Sequence, residues 1–245
     1  MTTMIIDHHN HVWEGESTGG FLDEGMSVKQ ILTRMDAAGV DMAGVCTVAQ
    51  SMDNDYVVKA QREHPDRLFG FCMVNPRDAA AKDTLRRYLD EGLKGLKLHP
   101  RLHGYQLGDH TLMDPLMEVC REYQVPMFAH GGSEENDHPF YFEELARAFP
   151  DVTVILGHMC ALNYCDDAIM VACRNDNIYL DTSTAELFSV KAAIKKAGAD
   201  KIVMSTDWPG NDFRMELLKV ELAAEGDLDT YHKITGENMK KIMKF

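Results

Sequence analysis

A single-domain α/β chain built as a (β/α)8 barrel is the fold the sequence predicts, on three observations. Eight short apolar runs recur along residues 1–245, their starts are spaced 24 to 37 residues apart, and one helical segment separates each pair. Repeated βαβ units of that length close most simply into a barrel of eight parallel strands. The rival, a doubly wound open sheet, would carry a glycine-rich phosphate turn after its first strand, and "DHHNHVW" contains no glycine at all.

The strand-like runs, in order, are "MIIDHHNH" from Met4, "DMAGVCTV" from Asp41, "RLFGFCMVNP" from Arg67 and "LKGLKLHP" from Leu93. They continue with "VPMFAHGG" from Val125, "VTVILGHM" from Val152, "NIYLDTST" from Asn177 and "KIVMSTDWP" from Lys201. Between them, helix signals are readable. Ser27 with Gln30 has capping-box spacing and leads into a helix ending at Gly39. Further helices close at Gly92, at Pro150 and at Gly198, and "DFRMELLKVELAAEG" and "ENMKKIMKF" supply the last ones. No Pro-, Ser- or Gly-rich linker divides the chain, so one domain over 1–245 is expected.

Composition narrows the function classes. Hydrophobic residues at 45% and charged residues at 26% are globular values. A net charge of −14 argues against nucleic acid and anionic membranes as partners. The six scattered cysteines form no C-x-x-C pair, and no apolar signal segment precedes Asp7, so reduced thiols in a cytoplasm are expected. The sixteen methionines read as core filler.

In a barrel of this kind the chemistry sits at the C-terminal ends of the strands. His9 and His11 end the first strand, Lys97 and His99 the fourth, His130 the fifth, His158 the sixth and Asp207 the eighth. Side chains two apart share a face, so Asp7, His9 and His11 are expected to point together, with His8 turned to the helix layer. The same rule groups Pro126, Phe128 and His130, then Val154, Leu156 and His158, then Val203, Ser205 and Asp207. One histidine at a strand end is ordinarily a hydrogen-bonded structural residue. Four imidazoles and a carboxylate converging on one mouth would be costly to desolvate without a cation. Such donors suit zinc best, with iron and manganese as alternatives.

These residues are also familiar as a set. The D-x-H-x-H start at Asp7, "GLKGLKLHP", "PMFAHGG", "FPDVTVILGHM", "STDWP" and "ITGENMKKIM" resemble, in order and over essentially the whole chain, the amidohydrolase-related family of metal-dependent TIM-barrel hydrolases. The resembling branch includes aminocarboxymuconate semialdehyde decarboxylase. The resemblance implies His9, His11, His130 and Asp207 as ligands of one divalent metal ion, zinc first. His158 is then the group that orients or polarises metal-bound water or substrate, and a homodimer is the implied oligomer. It also raises a second ion bridged by a carboxylated Lys97.

The expected chemistry is hydrolysis of a small, carboxylate-bearing substrate by an activated water, with Asp207 as base and acid and His158 stabilising the developing charge. Lys97, His99 and Arg101 are the expected substrate-binding groups, Arg101 through a guanidinium fork to a carboxylate. Nonoxidative decarboxylation of an aromatic or unsaturated acid is the alternative, and a non-catalytic binding barrel is the third reading. Asp181, Ser183, Trp208 and His138 are expected to be structural. The irregular stretches after strands one and four, "EGESTGGFLDEG" and "RLHGYQLGDH", and the run "GHMCALNY" after strand six leave the substrate open.

Overall fold

A computed structural model of the chain describes residues 3–13, 26–132, 135–161 and 163–245. The stretch "EGESTGGFLDEG" lies outside the described residues, as does Leu162 of "GHMCALNY". The strands are β1 (Ile6–His11), β2 (Met42–Cys46), β3 (Leu68–Gly70), β4 (Cys72–Met73), β5 (Leu96–Leu98), β6 (Met127–Ala129), β7 (Val154–Leu156), β8 (Ile178–Asp181) and β9 (Ile202–Val203). All pairings are parallel, in the orders β1-β2-β3 and β4-β5-β6-β7-β8-β9.

β3 and β4 are two pieces of one stave, parted only by Phe71. Phe71 N donates to Val45 O on one side (2.9 Å) and Cys72 N to Gly95 O on the other (2.8 Å), which joins the two sheets. At the far edge Asp207 N donates to His9 O (2.8 Å) and His11 N to Trp208 O (2.8 Å), around a parallel bridge of Asn10 with Trp208. These bonds carry the eighth stave back to the first. The eight staves expected from the sequence are therefore present, in sequence order.

Helices follow each stave where the caps say they should. The helix Val28–Ala38 begins with the reciprocal Ser27–Gln30 capping box and ends at Gly39, whose φ of 72° is left-handed. The helices Ala81–Asp90, Pro139–Ala148 and Leu187–Ala197 stop before Gly92, Pro150 and Gly198. One expected irregular stretch holds a short helix, Pro100–His103, opened by Pro100 at its first turn.

Alternation sorts each stave into two faces. Val154, Leu156, Met127, Ala129, Leu96 and Leu98 face the helix layer and belong to the large core. Ile6, Phe69, Phe71, Phe128, Ile155, Tyr179 and Val203 fill the barrel interior as a second apolar cluster. Fully buried aliphatic and aromatic side chains stabilise by roughly 1.5–3 kcal/mol each, so both layers support the fold.

Two expected faces are corrected. In β1 the register to β2 slips by one residue between Asp7 and Asn10, a β-bulge. Ile6 and His8 therefore point inward together, and after the slip His9 and His11 do so as well. His8 lies edge-on to Phe128 at 5.1 Å and His9 at 4.4 Å, so His8 is not on the helix layer. Asp7 lies on the opposite side, taking hydrogen bonds from Thr206 Oγ1, Asn10 Nδ2 (2.8 Å) and His9 N (3.1 Å). In β7 the inward residue is Ile155, and Val154 and Leu156 face out. His158 still reaches the interior because the chain turns left-handed after Gly157, with φ of 59° at His158 and 49° at Met159.

Candidate metal centre

The mouth of the barrel holds a cavity of about 200 Å³, lined by His9, His11, Lys97, His99, His130, His158 and Asp207 together with apolar Met26, Val48 and Leu102. Five of the seven polar groups sit at or beyond strand ends, as the fold dictates, and His9 lies within β1. Lys97 is the second exception. It is the middle residue of β5, and its long side chain runs up the interior so that Nζ lies 3.6 Å over the Phe128 ring.

Hydrogen positions follow from the partners. His9 Nδ1 faces Asp181 Oδ2 at 2.9 Å, and a carboxylate oxygen only accepts, so Nδ1 carries the hydrogen. His9 Nε2 then presents a lone pair, to which Lys97 Nζ donates (3.1 Å). His11 Nδ1 faces the Thr47 carbonyl at 3.0 Å and must also donate. Both Nε2 atoms lie 3.2 Å from the same oxygen, Asp207 Oδ1. Two imidazole lone pairs and a carboxylate oxygen thus converge, and apart from the Lys97 donation to His9 neither ring brings a hydrogen to Asp207.

Such a meeting of acceptors needs a positive charge. In the protein alone a proton on His11 meets the need: burial would lower its pKa, but Cys46 and Asp207 beside it raise it to about 10. A divalent cation would meet it equally, and the outer hydrogen bonds from His9 to Asp181 and from His11 to Thr47 are those that orient metal-ligating imidazoles. The donor set fits a metal. His9, His11 and Asp207 offer ligand atoms within 4.8 Å of one another. His130 stands outside that tight trio, on the same cavity wall, and its buried Nε2 has no hydrogen-bond partner among the described residues.

Electrostatics keep the remaining rings neutral. Burial, and next to it the Lys97 charge, pushes His99 down to about 2 and His9 well below its ordinary value. Burial followed by the neighbouring His158 does the same for His130, and burial lowers Lys97. Burial alone would raise Asp207, but the His9 ring beside it, the hydrogen bond with His11 and the nearby His158 outweigh it and hold the carboxylate below the usual range. Neutral imidazoles beside an ionised carboxylate are the states that bind a cation.

His99 stacks on His130 with ring centres 4.1 Å apart and planes 14° off parallel, making one wall of the cavity flat. Its Nδ1 accepts from Leu102 N (3.4 Å) as the cap of the helix Pro100–His103. That helix carries Arg101 away from the mouth: Arg101 is exposed and does not line the cavity. His103 instead contacts Ala49 O through Nε2 (3.1 Å).

Asp181, read from the sequence as structural, proves to be in contact with the site. Besides His9, it lies 3.5 Å from His8 Nε2, and its Oδ1 accepts from Ser183 Oγ (2.6 Å), Ser183 N (2.8 Å) and Ser205 Oγ. The alternation of Tyr179 and Asp181 on β8 was the available signal, since Tyr179 belongs to the interior cluster. His9, His158 and Asp181 form a second, fully buried trio whose atoms could hold a metal. His138 caps the helix Pro139–Ala148 and Trp208 packs into the core, as expected.

A family model described as "Amidohydrolase" matches residues 6–244. Solved structures resemble the chain over its whole length. A 5-carboxyvanillate decarboxylase from Sphingomonas paucimobilis is 15% identical, covers 100% of both chains and has a TM-score of 0.79. A dihydroxybenzoic acid decarboxylase from Polaromonas, with bound manganese and the inhibitor 2-nitroresorcinol, is 16% identical over 99% of this chain and 97% of its own, with a TM-score of 0.78. A probable 2-pyrone-4,6-dicarboxylic acid hydrolase from Acinetobacter baumannii is 14% identical over 98% and 99%, with a TM-score of 0.76. At these identities the likeness is one of fold. No curated protein sequence matches the chain.

Proposed function

The chain belongs to the amidohydrolase family, and from that premise we propose that it is a metal-dependent enzyme that removes carbon dioxide from a small aromatic or unsaturated carboxylic acid. The observation that carries this reading is the convergence of His9 Nε2 and His11 Nε2 on Asp207 Oδ1 at 3.2 Å, inside a cavity with a flat imidazole wall. One divalent ion is proposed, held by His9, His11, His130 and Asp207. Imidazole nitrogens favour zinc, and the manganese of the Polaromonas relative makes that ion the natural second choice. The ion would supply Lewis acidity toward a substrate oxygen.

The chain's own residues account for the rest. A cavity of about 200 Å³ is on the scale of one ring-sized acid. The stacked His99–His130 wall and apolar Met26, Val48 and Leu102 suit a planar, unsaturated body, and the Lys97 amine suits its carboxylate. In the reaction the bond from the carboxyl group to the adjacent carbon breaks, carbon dioxide leaves, and a proton takes its place on that carbon. Asp207 faces the cavity and is ionised at rest, so it is the group proposed to take a proton from solvent water and deliver it to that carbon as carbon dioxide leaves. Arg101, exposed beyond the cavity, is not part of this proposal.

Decarboxylation is favoured over hydrolysis because most of the similar structures described above are of decarboxylases. Hydrolysis remains the second reading, supported by the Acinetobacter relative and by a carboxylate placed to deprotonate water. The discriminating experiment incubates the metal-loaded enzyme with a panel of carboxyl-13C-labelled hydroxybenzoates and unsaturated acids in 18O-water. Labelled carbon dioxide with no 18O in the organic product is expected. Solvent 18O in the organic product without carbon dioxide would replace this reading with hydrolysis. Six free cysteines fit a reducing compartment, and a cytoplasmic location is proposed on that ground.

A further inference from the structure

Beneath the mouth, a chain of hydrogen bonds runs from Asp181 to the one ligand candidate outside the tight trio. We infer that Asp181 is a positioning residue that fixes the tautomers of His9 and His130 together, the first directly and the second through a Ser183–His158 relay, so that both Nε2 lone pairs are aimed at the cavity. The inference rests on the metal-binding reading above and deepens it.

The argument is one of donors and acceptors. Asp181 carries no hydrogen to give, so every neutral partner must donate to it. His9 donates from Nδ1 at 2.9 Å, and its Nε2 carries no hydrogen of its own, only a lone pair facing Asp207 and the Lys97 amine. On the other oxygen, the Ser183 hydroxyl hydrogen is committed to Asp181 Oδ1 at 2.6 Å. Ser183 Oγ therefore has only lone pairs to offer His158 Nδ1, 2.9 Å away, and that nitrogen must carry the hydrogen. His158 Nε2 is then an acceptor, facing His130 Nδ1 at 3.0 Å. His130 in turn must hold its hydrogen on Nδ1, which leaves the buried Nε2, without a partner among the described residues, as a lone pair.

Ser183, His158 and His130 in series on one oxygen, and His9 on the other, thus have their hydrogens set by one buried carboxylate. Three features hold Asp181 itself in place: the Ser183 backbone N–H, the Ser205 hydroxyl, and its own complete burial. Both ring nitrogens of His158 are occupied by the relay, which makes it a positioning residue for His130 in the resting protein. Among the described residues the competing contact is the Thr184 hydroxyl, 3.3 Å from His158 Nδ1 and longer than the Ser183 bond. Donation from Thr184 would reverse every hydrogen from His158 onward and leave an N–H, useless as a ligand, on His130 Nε2. Hydrogen placement along this series therefore decides whether the site has a usable third imidazole.

The test reads tautomers in the metal-free full-length protein and metal affinity separately. Long-range 1H–15N correlation spectra of histidine-labelled protein should show His9, His158 and His130 all protonated on Nδ1. In Ser183→Ala, His158 and His130 should move toward the Nε2–H form while His9 stays as it was, and affinity for Mn2+ and Zn2+ should fall by about 10–100-fold. Asp181→Asn, the harsher change, should disturb His9 as well. Ser183→Ala serves if Asp181→Asn does not fold. A wild-type His130 protonated on Nε2 would overturn the inference, as would a Ser183→Ala protein with unchanged His130 tautomer and unchanged affinity. Wild-type tautomers as stated, with no binding of either metal, would sink the metal-binding reading and leave the relay standing.

Discussion

The barrel interior has two layers that share the same staves and obey different rules. The lower layer, Ile6, Phe69, Phe71, Phe128, Ile155, Tyr179 and Val203, is an apolar plug whose members follow strict strand alternation. The ring above it, His9, His11, Lys97, His130, His158, Asp181 and Asp207, departs from that regularity at several points. A bulge in β1 turns two successive histidines inward. Positive φ at His158, Thr184 and Asp207 re-aims the chain after the last three staves. The difference teaches that ideal strands suffice to build the plug, while the site needs backbone that the plug has first made affordable. Stability should therefore follow the lower layer, and metal binding and turnover the upper one.

Asp207→Asn tests that division with the largest expected effect. It removes the negative charge on which two imidazoles converge, so metal content by elemental analysis should drop to background and turnover by roughly 10²–10⁴-fold, with a melting transition still present. Phe71→Ala strikes the other layer. It should cost about 3–5 kcal/mol in denaturant unfolding, while the folded protein keeps its metal stoichiometry. A Phe71→Ala protein that loses metal without losing stability would break the comparison.

A pH effect separates the two regions further. Glu216 lies on the buried face of the helix Phe213–Ala224 and accepts from Thr182 Oγ1 (2.6 Å), outside the cavity. Burial raises its pKa from 4.5 to about 7, against the opposing pull of Lys219 and Thr182. The folded state thus binds a proton that the unfolded state has lost between those values. Its contribution is full below pH 4.5 and declines as pH rises to about 7. Glu216→Gln should flatten that part of the stability profile, measured as urea midpoints at pH 5 and pH 8, and leave metal affinity unchanged. The smallest effect is expected from Arg101→Ala. Its guanidinium is exposed and off the cavity, so KM for an accepted acid should change by less than about twofold, within the range of ordinary surface changes.

Much of the fold was legible because the barrel repeats one unit. Spacing, caps at Ser27 and Gly39 and the outward pair Leu96 and Leu98 all follow from local rules. His9, His11, His130 and Asp207 were legible as a group because strand ends in such a barrel share one mouth. The inward face of His8 was not legible, because alternation cannot foresee a bulge, which depends on pairing with β2. His158 reaches the mouth by a route alternation does not give: its stave presents Ile155 inward, and only the left-handed turn returns the ring. The contacts of Asp181 were not legible because its partners, His9 and Ser205, lie far off in the chain. Arg101 follows β5 by three residues, yet Pro100 starts a helical turn that carries it outward.

The measurement that tests the central claim most directly is the position of the ion in crystals of metal-loaded protein, located by anomalous scattering. One ion within about 2.0–2.2 Å of His9 Nε2, His11 Nε2, His130 Nε2 and Asp207 Oδ1 is the predicted result. An ion held instead by His9, His158 and Asp181, or no ion at the mouth after loading, would contradict it.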